Sequence, residues 1–151
     1  MAGRFRAAFD GGSRGNPGAA AWGVAVIDAD GQYVEGHAGV LGHATNNVAE
    51  YHGLLEALRL AVERGADDVE VQADSELIVR QIQGSYRVRQ PHLKPLHEEA
   101  ARLIACFRRF RIKHVRRAEN READRLVNLA LDRAEAGESE AARIVDHPGS
   151  A

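Results

Sequence analysis

Apolar positions change period along the chain. Residues 4–10 and 20–28 are short apolar runs rich in Ala, Val and Phe, separated by the turn-rich stretch 11–18 with its Pro17, and they predict strand, loop, strand. Asp30-Gly31 is a hairpin-turn signal, and residues 32–40 after it alternate weakly as a third strand, so the first forty residues predict an antiparallel meander. Between 49 and 63 the period becomes helical: Ala49, Leu54, Ala57, Leu58, Ala61 and Val62 share one face, with Gly65 placed as a C-terminal cap. Residues 68–73 predict a strand, 75–83 a helix stopped by Gly84, 91–107 a helix, 109–115 a strand and 121–136 a helix ended by Gly137. The order β-β-β-α-β-α-α-β-α implies a mixed sheet with helices on its faces. The polar tail, residues 138–151, has no sustained apolar period, so firm structure is expected to end at 137 and the tail to be flexible.

Composition narrows the class. A chain of 151 residues, 44% hydrophobic and 28% charged, fits one globular domain. The single cysteine, Cys106, excludes an internal disulfide or a multi-cysteine metal site and reads as a buried small hydrophobe. No apolar run approaches the roughly 20 residues that span a bilayer, so a cytoplasmic protein without membrane association is expected. The formal net charge of -2 hides a locally cationic stretch between Arg102 and Arg133.

The carboxylates carry the candidate chemistry. Asp10 is expected at the end of the first strand, before a glycine loop, and Asp74 at the end of another. If those strands are parallel neighbours, the two acids converge on one edge of the sheet and need a hard divalent cation such as magnesium or manganese. Glu50 lies one turn into a helix beside apolar positions, and Asp124 near the start of the last helix, where the dipole favours an anion. Taken singly, each acid reads equally well as a cap or a solvated residue.

The wording around these acids is more specific. Phe9-Asp10-Gly11-Gly12-Ser13-Arg14-Gly15-Asn16-Pro17-Gly18, Thr45-Asn46-Asn47-Val48-Ala49-Glu50, Ala73-Asp74-Ser75 and Asn120-Arg121-Glu122-Ala123-Asp124 together resemble type 1 ribonuclease H, in order and spacing, over residues 4–135. The resemblance implies an α/β ribonuclease H-like fold: a five-stranded mixed sheet of order 3-2-1-4-5 with helices on both faces, here a catalytic domain over 1–137. It implies endonucleolytic hydrolysis of the RNA strand of RNA/DNA hybrids, leaving 5′-phosphates, by a monomer. Two metal ions, Mg²⁺ or Mn²⁺, would be held by Asp10, Glu50, Asp74 and Asp124, with Asp10 bridging them. Asn16, Asn46 and Asn47 would sit in the minor groove of the hybrid, and Thr45 near a phosphate of the DNA strand. Thr45 and Asn46 also read as a plain helix N-terminus.

Two features depart from the better-known bacterial pattern. Residues 84–94 lack the tryptophan- and lysine-rich basic insertion of some relatives, and the loop 115–120 carries no histidine. The shorter loop resembles an archaeal-like subgroup also found in bacteria, which implies that Arg117 takes the histidine's place among the catalytic residues. The glycines at 11, 12, 15 and 18 match no nucleotide-cradling motif. His37, His43, His52, His92 and His97 read as surface residues, and Trp22 as core or groove wall. The rival functions are a hybrid- or RNA-binding module without activity, against which the intact set of four acids argues, and a structure-specific DNA nuclease on the same fold.

Overall fold

The computed structural model describes residues 3–138 and 143–149. Three long strands, β1 (Gly3–Arg14), β2 (Gly18–Ile27) and β3 (Tyr33–Ala44), form the meander. They are followed by α1 (Asn46–Glu63), β4 (Ala66–Ala73), α2 (Glu76–Gln83), α3 (Lys94–Ile104), β5 (Arg109–His114), a 3₁₀ turn (Arg117–Glu119) and α4 (Arg121–Glu135). Strand order is β5-β4-β1-β2-β3-β6, with β4 and β5 parallel to β1. The expected order of five holds, and the sixth strand is a correction. Ile144–Asp146 (β6) pairs antiparallel with Gly36–Ala38 of β3, although no regular structure is expected there. Ile144 packs against the core beneath α4, and the Asp146 carboxylate accepts from Tyr33 Oη and from Arg125 of α4, at 2.5 and 2.9 Å. A strand of three residues is too short to leave an apolar period in the sequence. Residues 139–142, 150 and 151 of the expected tail lie outside the described residues.

Alternation along the strands divides the core into two layers. Phe5, Ala7 and Phe9 of β1, with Trp22, Val24, Val69 and Val71, pack beneath α1, α2 and α3 around Leu54, Leu55, Leu58 and Tyr51. The opposite face presents small residues, Ala8, Ala21, Ala25 and Ala38, to Leu126, Val127, Ala130 and Leu131 of α4. Helix ends follow local chemistry. Thr45 Oγ1 caps α1 by accepting from Val48 N, Ser75 Oγ caps α2 by accepting from Ile78 N, and Gly84 ends α2 at φ +84°.

Several expectations are corrected. β1 does not stop at Asp10: the glycine segment stays in the strand, with Gly11 paired to Trp22 and Gly12 to Ala21, and the turn begins at Gly15. α3 starts at Lys94, because Pro91 to Leu93 form a turn and Pro95 belongs in a helix's first turn. His92 is therefore off the helix. His37 is buried, its Nε2 against Glu35 at 2.8 Å. Cys106 is exposed, just beyond the end of α3. No helix among the described residues is long and apolar enough to cross a membrane.

Close helix-to-sheet contact fixes the layer spacing. A Cβ on Gly11 would lie 2.1 Å from the Ala49 carbonyl carbon, and one on Gly53 2.5 Å from the Asp10 carbonyl oxygen. These obstacles are backbone atoms and cannot rotate away. Gly11→Ala is therefore expected to cost about 3 kcal/mol by forcing α1 off the sheet, whereas Gly3→Ala, with nothing within 4 Å, should change stability by under ~0.5 kcal/mol. Urea unfolding of the two variants checks this; equal midpoints would contradict it.

Candidate active site

Four elements deliver four carboxylates to one place. β1 and β4 are parallel neighbours with Ala8 opposite Gln72, so Asp10 and Asp74, two residues further along, stand side by side where the chain leaves β4. Asp10 points to the α4 side, as alternation from Ala8 requires, and its partner across β2 is Gly23. A Cβ on Gly23 would meet the Ala123 carbonyl oxygen at 2.7 Å, so the absence of a side chain there brings the start of α4, and with it Asp124, up to Asp10. On the other face, Gly11 and Gly53 admit α1 closely enough for Glu50 to reach the same spot. Asn120, 1% exposed, anchors the start of α4 by donating from Nδ2 to the Phe9 carbonyl at 3.0 Å.

Asp10, Glu50 and Asp74 each offer an oxygen within 4.8 Å of the other two, and Asp124 borders the same cleft, near enough for its charge to raise Asp10. Together they line an open cleft of about 370 Å³ that Asn46 and Arg117 also border. Burial, followed by the neighbouring charge of Asp74, pushes the Asp10 carboxyl up to about 7, against a hydrogen bond from the Gly11 N–H that favours ionisation. Burial and then the Asp10 charge raise Glu50 well above the usual carboxylate range. Glu50 Oε2 is inaccessible to solvent and has no hydrogen-bond partner in the protein. A buried oxygen acceptor left without a donor, among three other carboxylates, is costly in a metal-free protein. The donor set is all oxygen and anionic, which fits a hard divalent cation.

The remaining expected residues divide. The Arg117 guanidinium, its side chain 80% exposed, lies 3.7 Å from Asp124 Oδ1 and borders the cleft. Thr45 serves as the α1 cap. Asn46 Oδ1 accepts from Ser13 N at 2.8 Å, and Asn16 Oδ1 accepts from Asn46 N at 3.1 Å, so these two join the end of β1 and its turn to the start of α1. Asn47 follows at the first turn, half-buried.

Sequence reasoning missed several supporting residues. Asn120 opens the segment that carries Asp124, yet its anchoring bond spans 111 positions and leaves no local signal. Arg14, at the end of β1, holds Asp132 and Glu135 of α4 at 2.7 Å each. His114 Nε2 lies 3.3 Å from the Asp74 carbonyl oxygen; since that oxygen only accepts, the ring nitrogen donates and steadies the turn that carries Asp74.

Comparison with known proteins agrees with this geometry. A family described as "Reverse transcriptase-like" matches residues 8–130. Ribonuclease HI of Halobacterium salinarum is 44% identical over 130 residues, 86% of this chain and 65% of that protein. Bifunctional protein Rv2228c of Mycobacterium tuberculosis is 45% identical over 140 residues, 90% of this chain and 38% of that protein. The chain thus spans less than two thirds of the length of these relatives. Among solved structures, LC11-RNase H1 in complex with RNA/DNA hybrid is similar with a TM-score of 0.81 at 40% identity, covering 87% of this chain and 99% of that one. The matched residues run from β1 to α4 and contain all four carboxylates, and the chain belongs to the type 1 ribonuclease H family.

Proposed function

We propose that this chain is an endoribonuclease that hydrolyses the RNA strand of RNA/DNA hybrids with the help of divalent metal. The observation that carries the reading is a cluster of three carboxylates, with Asp124 bordering the same cleft, around a buried Glu50 Oε2 that has no hydrogen-bond partner. A polyanion-binding module gains nothing from such a cluster without metal. Asp10, Glu50, Asp74 and Asp124 would hold two ions, Mg²⁺ or Mn²⁺. Bound there, such ions supply a water nucleophile at neutral pH and offset charge on the attacking and leaving oxygens.

The chain's own residues bind and orient. Asn16 and Asn46 spend their side-chain oxygens on backbone N–H groups, which can only donate, so the free ends of both amides are NH₂ donors. Donors suit the acceptors that every base pair shows in the minor groove, and the oxygen of a 2′-hydroxyl, without selecting a sequence. The Arg117 guanidinium acts electrostatically at the reacting phosphate or the departing 5′-phosphate. The lone Cys106, an exposed free thiol, fits a reducing compartment, and we take the chain to act as a cytoplasmic monomer.

The test of function compares matched RNA/DNA, RNA/RNA and DNA/DNA duplexes with Mg²⁺ or Mn²⁺. The RNA of the hybrid should be cut to 5′-phosphate products, and Asp10→Asn should abolish cutting while hybrid affinity holds or improves. Preferential cutting of DNA/DNA would favour the structure-specific DNA nuclease.

Stability reports the cluster without catalysis. Asp10 titrates near 3.8 when unfolded and about 7 when folded, so the folded state binds the extra proton and metal-free stability should fall as pH rises between these values. Glu50 adds in the same direction. Thermal melts in a chelator from pH 4.5 to 8 should show this loss, Asp10→Asn should reduce it, and millimolar Mg²⁺ or Mn²⁺ at pH 8 should reverse it in the unmodified protein. A pH-independent, metal-insensitive melting temperature would count against the cluster.

Arg117→Ala should lower kcat by about 10- to 10³-fold, with partial recovery in Arg117→Lys. A defect confined to KM and erased by salt would make Arg117 a steering charge instead.

A further inference from the structure

The parallel half of the sheet is covered on only one side. α1 and α2 pack on one face with α3 against them, and α4 packs on β1, β2 and β3 of the other, so among the described residues no helix packs on β4 and β5 from the α4 side. Parallel strands are ordinarily buried on both faces. Here the bare face is built from charges in cross-strand rows: Arg4, Asp68 and Arg109 in one, Arg6, Glu70 and Arg111 in the next, then Ala8, Gln72 and Lys113. Each acid is flanked by cations. Glu70 takes Arg6 at 3.1, Arg111 at 3.5 and Lys113 at 3.7 Å, and Asp68 takes Arg4 at 3.5 Å.

Pairing does not neutralise the face, and Asp68 Oδ1 is buried there without a hydrogen-bond partner. Five cations stand against two acids over these rows, on a chain whose net charge is -2. The rows enclose a shallow cleft of about 260 Å³ bordered by Ala29. The next row along the same face of β1 and β4 is Asp10 and Asp74, and rows two residues apart are ~6.6 Å distant. The 3₁₀ turn crosses at the third row, where Gln72 Nε2 reaches the Glu119 carbonyl at 3.5 Å, and it brings exposed Arg116 and Arg117. Cations therefore run from the bare face to the rim of the carboxylate cleft.

We propose that this face is a second nucleic-acid contact surface, which holds the phosphate backbone of a substrate arm extending beyond the segment in the cleft. The inference rests on the hybrid reading of the cleft, and continuity with that cleft favours a polynucleotide over an acidic protein. Its anchors are Arg4, Arg111 and Lys113, whose ion pairs are the loosest and whose side chains are 69%, 47% and 50% exposed.

The test measures binding in a chelator, so that nothing is cut. The probes are a hybrid of about one helical turn, ~10 base pairs, and the same hybrid extended at either end by duplex DNA. The unmodified protein should bind one extended probe more tightly than the short one. The triple variant Arg4→Ala/Arg111→Ala/Lys113→Ala should lose about tenfold on that probe, with a log-affinity against log-salt slope shallower by about 2 to 3, and stay within about twofold on the short one. Arg4→Lys/Arg111→Lys, which keeps the charges, should bind as the unmodified protein does; this separates phosphate contact from damage to the sheet. Equal losses on both probes, no gain from either extension, or displacement of the extended probe by polyglutamate as readily as by duplex DNA would overturn the proposal. Failure of the unmodified protein to cut the short hybrid with Mg²⁺ would instead overturn the reading of the cleft, because the arm comparison requires only binding.

Discussion

The arrangement of this protein depends on how closely two helices lie against the strand that carries Asp10. On one face, Gly11 and Gly53 let the backbone of α1 touch that of β1; on the other, Gly23 lets the start of α4 reach the sheet directly across from Asp10. A side chain at any of these positions would meet backbone. The two helices contribute Glu50 and Asp124 from opposite sides, and parallel pairing of β1 with β4 contributes Asp74. Packing of small residues, rather than any local motif, is what makes four distant acids a single site.

That convergence opposes itself electrostatically. Burial and mutual repulsion raise Asp10 and Glu50, and a buried Glu50 oxygen has no protein partner. The glycine contacts, the Asn120 anchor and the Arg14 bridge hold the acids together against this repulsion. Arg117 offsets one charge at the rim. Divalent cations would relieve the rest, and the same rigidity would then present reacting groups without further rearrangement.

Much of this was legible in the sequence, for physical reasons. Long periodic segments such as α1 and caps such as Ser75 and Gly84 write their structure locally, and the four acids sit in motifs specific enough to name a family. Features that depend on distant partners were not legible. The glycine segment 11–14 reads as a loop by composition, and only β2 and α1 make it a strand. β6 rests on ladder pairing with β3, a hydrogen bond from Tyr33 and an ion pair with Arg125, which no periodicity records. His37 reads as a surface residue until Glu35 and Val24 are placed around it. Cys106 follows the last turn of α3, where the helix ends short of its expected boundary and leaves the thiol exposed.

The central claim is that Asp10, Glu50, Asp74 and Asp124 form one preorganised cation site. Anomalous diffraction from crystals soaked in Mn²⁺, with and without a bound RNA/DNA hybrid, tests it most directly. The account predicts manganese peaks bounded by these four carboxylates, with Glu50 gaining the partner it lacks, directly or through a coordinated water, and the surrounding backbone unmoved. Peaks confined to other surface acids, or a cleft that must rearrange before it admits the metal, would contradict it.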